Sequence, residues 1–427
     1  MKNYLLFGLF IMFILMIVIE DRGLLDNFER AAANENWVEL VADDLEVVSP
    51  NHDVKQVIVL EKAQPFYMKA KSFVEIGRLE AKQSFVIIGE DEMYYELRFG
   101  EMSAFVKKTG VTIENRAIQS LVNPKIVDSI KTIKETVVYE QANFHSAVLL
   151  HLAKGFRYPI IGQIDDWFII KIGERTGYIQ KQAVEKDEGV PVLVYHHILP
   201  KADMKTTTST VSVESFNEQM AYLASEQFTT LTAEQLYDYL EGRQILPVNA
   251  VLITFDDGLV STKEYAYPIL KAHGFTAIQH IISSRTARAE GMQTFDKEGP
   301  LQFFTAQEMT ELADVFQYEA HTHDLHRLNK ETNSGIVMEL STEQLIEDLQ
   351  QNVEEVPGAI SLAYPFGQYN EQMIAAMKEV GLLIGFTTHD GYANPSGSNY
   401  EVNRFGMTEK RTIEQFATYV DGEMTWN

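Results

Sequence analysis

The feature that most constrains this chain is Val251-Leu252-Ile253-Thr254-Phe255-Asp256-Asp257-Gly258, where five apolar or β-branched residues end abruptly in two carboxylates and a glycine. Such a run reads as a buried strand of a parallel sheet. At the carboxyl end of such a strand the sheet opens into the ligand crevice, so polar groups there act without disturbing the core. Two adjacent aspartates need not point the same way where a strand becomes a loop: one can hold a cation while the other faces water or substrate. Their charges repel unless a metal, cation or proton intervenes. The plain alternative is a β-turn, for which Asp-Gly after a strand is a common signal.

A second polar cluster, His321-Thr322-His323-Asp324-Leu325-His326, holds three of the 11 histidines. On a helix, a spacing of five would turn His321 and His326 about 140° apart, so they converge only at a strand end and its loop. Asp257, His321 and His326 would then form a set of two histidines and one carboxylate. That arrangement suits zinc and other first-row metals and leaves positions open for water and substrate. A solvated histidine-rich turn is the alternative. Past residue 189, segments of period two alternate with segments of helical period, which favours a TIM-like barrel with its site at the carboxyl face.

Taken in order, Thr254-Phe255-Asp256-Asp257-Gly258, His321-Thr322-His323-Asp324-Leu325-His326 and Ala363-Tyr364-Pro365-Phe366-Gly367 resemble the polysaccharide deacetylase family, also called the NodB-homology or carbohydrate esterase family 4 domain. The gap between His321 and His326, with Val194-Tyr195-His196-His197-Ile198, is most similar to the branch that de-N-acetylates poly-β-1,6-N-acetylglucosamine in biofilms. The resemblance spans residues 190–427 and implies an α/β fold, a distorted seven-stranded (β/α) barrel. It implies an amide hydrolase that removes N-acetyl groups from an extracellular N-acetylglucosamine polymer. One divalent ion is expected on Asp257, His321 and His326, zinc first, with cobalt, nickel or manganese as alternatives. Asp256 would take the proton of the attacking water. By the same resemblance His196 would be the general acid, with His197 as fallback, and the backbone amide of Tyr364 a second oxyanion donor.

Two departures from the family pattern stand out. Many relatives carry an arginine before the Tyr-Pro segment to orient the catalytic aspartate, whereas this chain has Ser361-Leu362-Ala363. Arg404, in Asn403-Arg404-Phe405-Gly406-Met407, is expected either to approach Asp256 from another strand end or to form a surface salt bridge. The late Leu-any-His motif is also missing, which leaves His389 as a rival acid. A peptidoglycan deacetylase would use the same residues. A noncatalytic wall-binding protein would not need both aspartates and both histidines.

The 427-residue chain is long enough for several domains, and its other half carries different signals. Residues 4–19 are apolar apart from one tyrosine hydroxyl and a glycine, and read as an uncleaved anchor or a signal peptide. This gives an expected transmembrane segment at 1–21, a single-pass location in a bacterial membrane with the catalytic part outside, and an acidic stalk at 22–50. Two runs of short strands related by a constant offset of 73 residues suggest a duplication, with Gly100 matching Gly173 and Phe105-Val106 matching Tyr178-Ile179. They resemble bacterial SH3-like domains, expected at 51–118 and 119–188 ahead of a catalytic domain at 189–427. Such modules would dock on the cell wall, with Trp167, Tyr178 and Tyr158 either stacking on sugar or filling the core. The formal charge of -25 argues against nucleic acid and suits a cationic, partly deacetylated glucosamine polymer. With no cysteine, disulfide and thiolate chemistry are excluded.

Overall fold

The computed structural model describes residues 53–69, 72–100, 102–118, 125–289 and 294–423. From residue 190 onward the apolar runs become parallel strands. Their order is Ile384–Phe386, Ser361–Ala363, Phe316–Ala320, Ala277–Ile281, Ala250–Phe255 and Val190–Tyr195. Phe405–Gly406 pairs in parallel with the last of these. Val402, just before it, bridges in parallel to Phe386 at the opposite edge. The stretch 402–406 therefore draws the two edges together, and the sheet is a distorted, curled one consistent with a partial (β/α) barrel.

Capping holds the helices between these strands in place. Thr232 and Gln235 form the reciprocal capping box expected from the sequence, and Ser341 with Gln344 repeats it on Thr342–Glu355. Gly381, at φ 87°, ends the helix Glu371–Val380 in the left-handed conformation that glycine adopts without a Cβ clash. Alternate residues of each strand serve different cores. Val251, Ile253 and Phe255 pack with Phe216, Met220 and Leu270 of the flanking helices. Val192, Leu252, Ile278, Ile384 and Phe386 form a second core with Leu236, Tyr239 and Leu240.

The first half of the described chain corrects the expectation of two SH3-like domains. The strands of each half stay together, and one ladder between the halves joins them into a single 12-stranded sheet rather than two separate modules. Val148–Leu152 pairs antiparallel with Phe73–Leu79, matching Leu150 to Leu79 and Leu152 to Gly77. Gly77 is required at this joint, because a Cβ there would collide with the His151 carbonyl. The duplication itself survives as two matching hairpins, Tyr94–Phe99 with Met102–Lys107 and Trp167–Ile172 with Arg175–Gln180. Trp167 and Tyr158 are buried in this assembly, at 6% and 1% exposure, and form core rather than a stacking surface. Wall docking through SH3-like modules falls with the modules.

The transmembrane expectation is corrected as well. No helix among the described residues is long and apolar enough to cross a membrane. The longest of them, Thr342–Glu355, has 14 residues, roughly 21 Å at 1.5 Å per residue against a hydrocarbon core of about 30 Å. The apolar run at 4–19 and the proposed stalk lie outside the described residues. The membrane-spanning helix, the membrane as partner and the single-pass location are therefore without structural support and are withdrawn.

A small mixed-origin sheet joins the first half to the barrel. Phe156–Ile160 pairs with Asp128–Thr132 on one side and with Leu246–Pro247, just ahead of the Asp256 strand, on the other. Behind it the buried Arg157 guanidinium donates to Asp187 and to the carbonyls of Gly189 and Val248. Ser129 and Tyr239 each donate to Asp187 Oδ2 at 2.8 Å. Removing one partner of a buried ion pair strands the other charge, at a cost of about 3–5 kcal/mol. Asp187→Ala should lower the unfolding free energy by about that much in urea titration. An unchanged midpoint would mean that this cluster does not hold the two halves together.

Candidate metal centre and active site

The expected site residues come from the loops at one end of the curled sheet. Tyr195 and Phe255 are paired in register, and the Asp256 amide donates to the Tyr195 carbonyl at 2.9 Å, so His196 and Asp256 leave neighbouring strands at the same level. His321 follows Ala320, whose strand partner is Ile281. Asp257 Oδ1 lies 3.6 Å from His321 Nε2 and 3.4 Å from His326 Nε2. The three potential ligand atoms all lie within 4.8 Å of one another. Asp257 Oδ1 is buried without a hydrogen-bond partner, an arrangement that a divalent cation between the carboxylate and the two imidazoles would satisfy. His321 Nδ1 lies 2.7 Å from the Ala363 carbonyl, which fixes its hydrogen on Nδ1 and turns Nε2 toward Asp257. The residues present fit a metal.

Backbone strain is concentrated here. Asp257 at φ 76° and Thr322 at φ 67° occupy the left-handed region that side-chain-bearing residues rarely adopt. The helix Thr342–Glu355 supplies the counterforce at Thr322. Asn352 donates to the carbonyls of Ile281 and Thr322 at 3.1 and 2.8 Å, and Asp348 accepts from the amides of His323 and Asp324 at 2.8 Å each. His323 turns away from the ligand set, with Nδ1 3.0 Å from Ser283 Oγ.

Asp256 is held differently from its neighbour. The fully buried Arg404 grips both its oxygens, Nη1 to Oδ1 at 2.9 Å and Nη2 to Oδ2 at 2.8 Å. Arg404 Nη1 also donates to Thr254 Oγ1 at 3.1 Å and Nε to the Thr387 carbonyl at 2.9 Å. Burial opposes the Asp256 charge, yet Arg404 and a hydrogen bond from His280 outweigh it and keep the carboxyl well below its usual range. Burial likewise works against Asp257, and the surrounding His321, His196 and His326 still hold it ionised. Burial pushes His326 down to about 4, with His321 adding to the effect, so its imidazole is neutral and free to ligate.

Residues 243–385 match the family described as Polysaccharide deacetylase. That segment belongs to the polysaccharide deacetylase family. The chain is 29% identical over 206 residues to the poly-beta-1,6-N-acetyl-D-glucosamine N-deacetylase of Staphylococcus aureus, covering 47% of this chain and 68% of that one. Among solved structures, IcaB from Ammonifex degensii is 24% identical with a TM-score of 0.48, covering 55% of this chain and 98% of that one. The deacetylase PplD of Streptococcus pyogenes, in complex with acetate, is 21% identical with a TM-score of 0.46, covering 54% and 97%. The family match and the Asp257, His321, His326 cluster together support catalytic polysaccharide N-deacetylase activity.

One expectation for this deacetylase does not match the geometry. The Tyr364 amide donates to the Phe386 carbonyl at 3.1 Å, as a sheet residue should, and is not free for an oxyanion. Tyr364 itself is buried, its hydroxyl 2.8 Å from the Tyr400 carbonyl. His197 turns its Nδ1 to Ser261 Oγ at 2.8 Å, and burial lowers its pKa. His389 is exposed, and its carbonyl accepts from the Arg404 amide at 3.0 Å.

Other residues near the site were not singled out in the sequence. His280 lies fully buried with Nδ1 3.0 Å from Asp256 Oδ1, and burial pushes its pKa down to about 4. Arg285 donates to the His326 carbonyl at 3.1 Å. Phe366, 41% exposed and at φ 57°, packs its ring 4.3 Å from that of His326. The signal for His280 was present: Gln279-His280 is a polar pair inside an otherwise apolar strand.

Metal content separates ligand from bystander. Protein purified with zinc should lose bound metal on His321→Ala, more than about tenfold in affinity. His323→Ala should retain it, since His323 bonds Ser283 instead. Equal loss in both, measured by elemental mass spectrometry, would remove His321 from its assigned place.

Proposed function

We propose that this chain hydrolyses the N-acetyl groups of an N-acetylglucosamine polysaccharide, with poly-β-1,6-N-acetylglucosamine as the first candidate and zinc as the ion. The observation that carries the reading is the pairing of two unlike carboxylates. Asp257 leaves an unpartnered buried oxygen facing two imidazoles, while Asp256, one residue earlier, is clamped by Arg404. The similarity to the staphylococcal enzyme supports the choice of polymer. The net charge of -25 favours a product that gains cationic amines.

A divalent cation on Asp257, His321 and His326 would supply Lewis acidity toward the acetamide carbonyl and favour ionisation of water. Asp256, kept ionised by Arg404, accepts the proton of the water that attacks the carbonyl carbon. The C–N bond then breaks, and His196 gives a proton to the departing nitrogen, yielding acetate and a free amine. An amide nitrogen is a poor leaving group without that proton. His196 leaves the strand beside that of Asp256 at the same level, because Tyr195 pairs with Phe255 and its carbonyl accepts the Asp256 amide.

Acetate release from poly-β-1,6-N-acetylglucosamine should be abolished by a chelator and restored by zinc. Faster release from peptidoglycan glycans would replace the polymer assignment, and chelator-insensitive release would overturn the metal. Asp256→Asn and His196→Ala should each slow turnover by about 10²- to 10⁴-fold while keeping the metal. An aryl acetate ester, whose leaving group needs little protonation, should recover much of the rate in His196→Ala but not in Asp256→Asn. Loss of metal in Asp256→Asn would reverse the roles of the two carboxylates.

A further inference from the structure

Asp256 carries more hydrogen bonds than an arginine clamp requires, and they are unequally divided. Oδ1 accepts from Arg404 Nη1 at 2.9 Å and faces His280 Nδ1 at 3.0 Å, whereas Oδ2 accepts from Arg404 Nη2 alone at 2.8 Å. An ionised carboxylate has no hydrogen to give, so the hydrogen in the His280 contact sits on Nδ1. His280 Nε2 is then bare and only packs 3.4 Å from Ser361 Oγ, whose one hydrogen goes elsewhere. Ser361 Oγ donates to Glu319 Oε2 at 2.9 Å, and the same Glu319 oxygen accepts the amides of Ile360 and Ser361 at 2.8 and 2.7 Å. Gln317 donates to Glu319 Oε1 at 2.9 Å, which secures the other oxygen. His280 is fully buried, so its bond to Asp256 is made in a water-poor interior where geometry is fixed.

We infer that His280, held in a fully buried position on the neighbouring strand, is a positioning residue for Asp256, and that it occupies Oδ1 so that Oδ2 is the oxygen presented to the attacking water. A carboxylate gripped only by a guanidinium can still tilt about the Cβ–Cγ bond; a third donor on one oxygen, from a different strand, stops that motion. The two oxygens thereby become inequivalent. Oδ1 has both lone pairs engaged, and Oδ2 keeps one for the proton. Here orientation is divided between Arg404, arriving from the closing segment, and His280, arriving from the neighbouring strand.

This inference rests on the reading of Asp256 as base, and its test separates the two. The full chain is loaded with zinc, and kcat, KM and metal content are measured for His280→Ala, His280→Asn and His280→Gln. His280→Ala should lower kcat about 10- to 100-fold with KM and metal unchanged, as expected of an interaction made in the transition state. The Asn amide can place its NH₂ near the lost Nδ1 and should recover most of the rate. The Gln amide reaches the Nε2 position and should not. In an Asp256→Asn background, His280→Ala should cost less than about twofold more, because it acts only through Asp256.

Equal rates for the Asn and Gln variants would overturn the inference. So would a rise in KM at constant kcat, loss of metal in His280→Ala, or a full further loss in the double variant. If His280→Ala does not fold, the comparison of Asn with Gln still decides. Full activity in Asp256→Asn would sink the base assignment instead. Inactive Asp256→Asn beside a fully active His280→Ala would sink the positioning role alone.

Discussion

The bidentate pair between Arg404 and Asp256 is the interaction on which the rest of the catalytic region depends. Taking both charges out of water costs several kcal/mol per ion, and the attraction offsets this only when the remaining donors and acceptors are also satisfied. Here they are. The guanidinium reaches Asp256, Thr254 and the Thr387 carbonyl, while the Asp256 carboxylate also faces His280. Arg404 sits within the stretch 402–406, which pairs with Val190–Tyr195 at one edge and with Phe386 at the other. Closure of the curled sheet and orientation of Asp256 are thus one event. A chain that failed to bring this segment home would expose both sheet edges and leave a buried carboxylate unpaired.

The interior of the sheet is graded accordingly. Val192, Leu252, Ile278, Ile384 and Phe386 make an apolar layer, closed by Leu236, Tyr239 and Leu240. Above it, two residues further along the strands of Leu252 and Ile278, come Thr254 and His280, with Arg404, Glu319 and Ser361 beside them. Asp256 is the next inward residue after Thr254. The polar layer excludes bulk water and supplies fixed donors in its place, the setting in which a carboxylate can be aimed as well as ionised. Strain at Thr322 is tolerable because Asn352 and Asp348 hold its loop from outside.

How much of this was legible depended on whether the signal was local. The strand ending in Asp256-Asp257, the five-residue gap between His321 and His326, and the capping boxes follow from spacing within a few residues, and the structure shows their geometry directly. Asn352 and Asp348 were not legible, because they sit at i and i+4 on a helix whose other buried positions are ordinary leucines. His280 was visible only as an oddity in an apolar strand, since the partner that gives it meaning is 24 residues away. The Tyr364 amide was misjudged because a family motif does not say which of its peptide groups the sheet consumes. The SH3-like reading failed for a different reason: strand composition reports which residues pair, and not whether two similar halves close separately or share one sheet.

That last failure has a physical cause in the glycines that made the duplication visible. Gly100 and Gly173 turn equivalent hairpins, with φ 61° and 57°, joining Phe99 to Met102 and Ile172 to Arg175. A Cβ on Gly100 would stand 3.3 Å from the Lys171 carbonyl, and one on Gly173 would stand 3.0 Å from the Arg98 carbonyl. Each turn therefore approaches the backbone of the other copy, and the contact is reciprocal. Glycine here serves both the left-handed turn and the close approach, and the second role is invisible in a comparison of one half with the other. Two halves whose turns interlock in this way, and whose strands Phe73–Leu79 and Val148–Leu152 share a ladder, cannot be separated into independent modules without exposing the backbone of both.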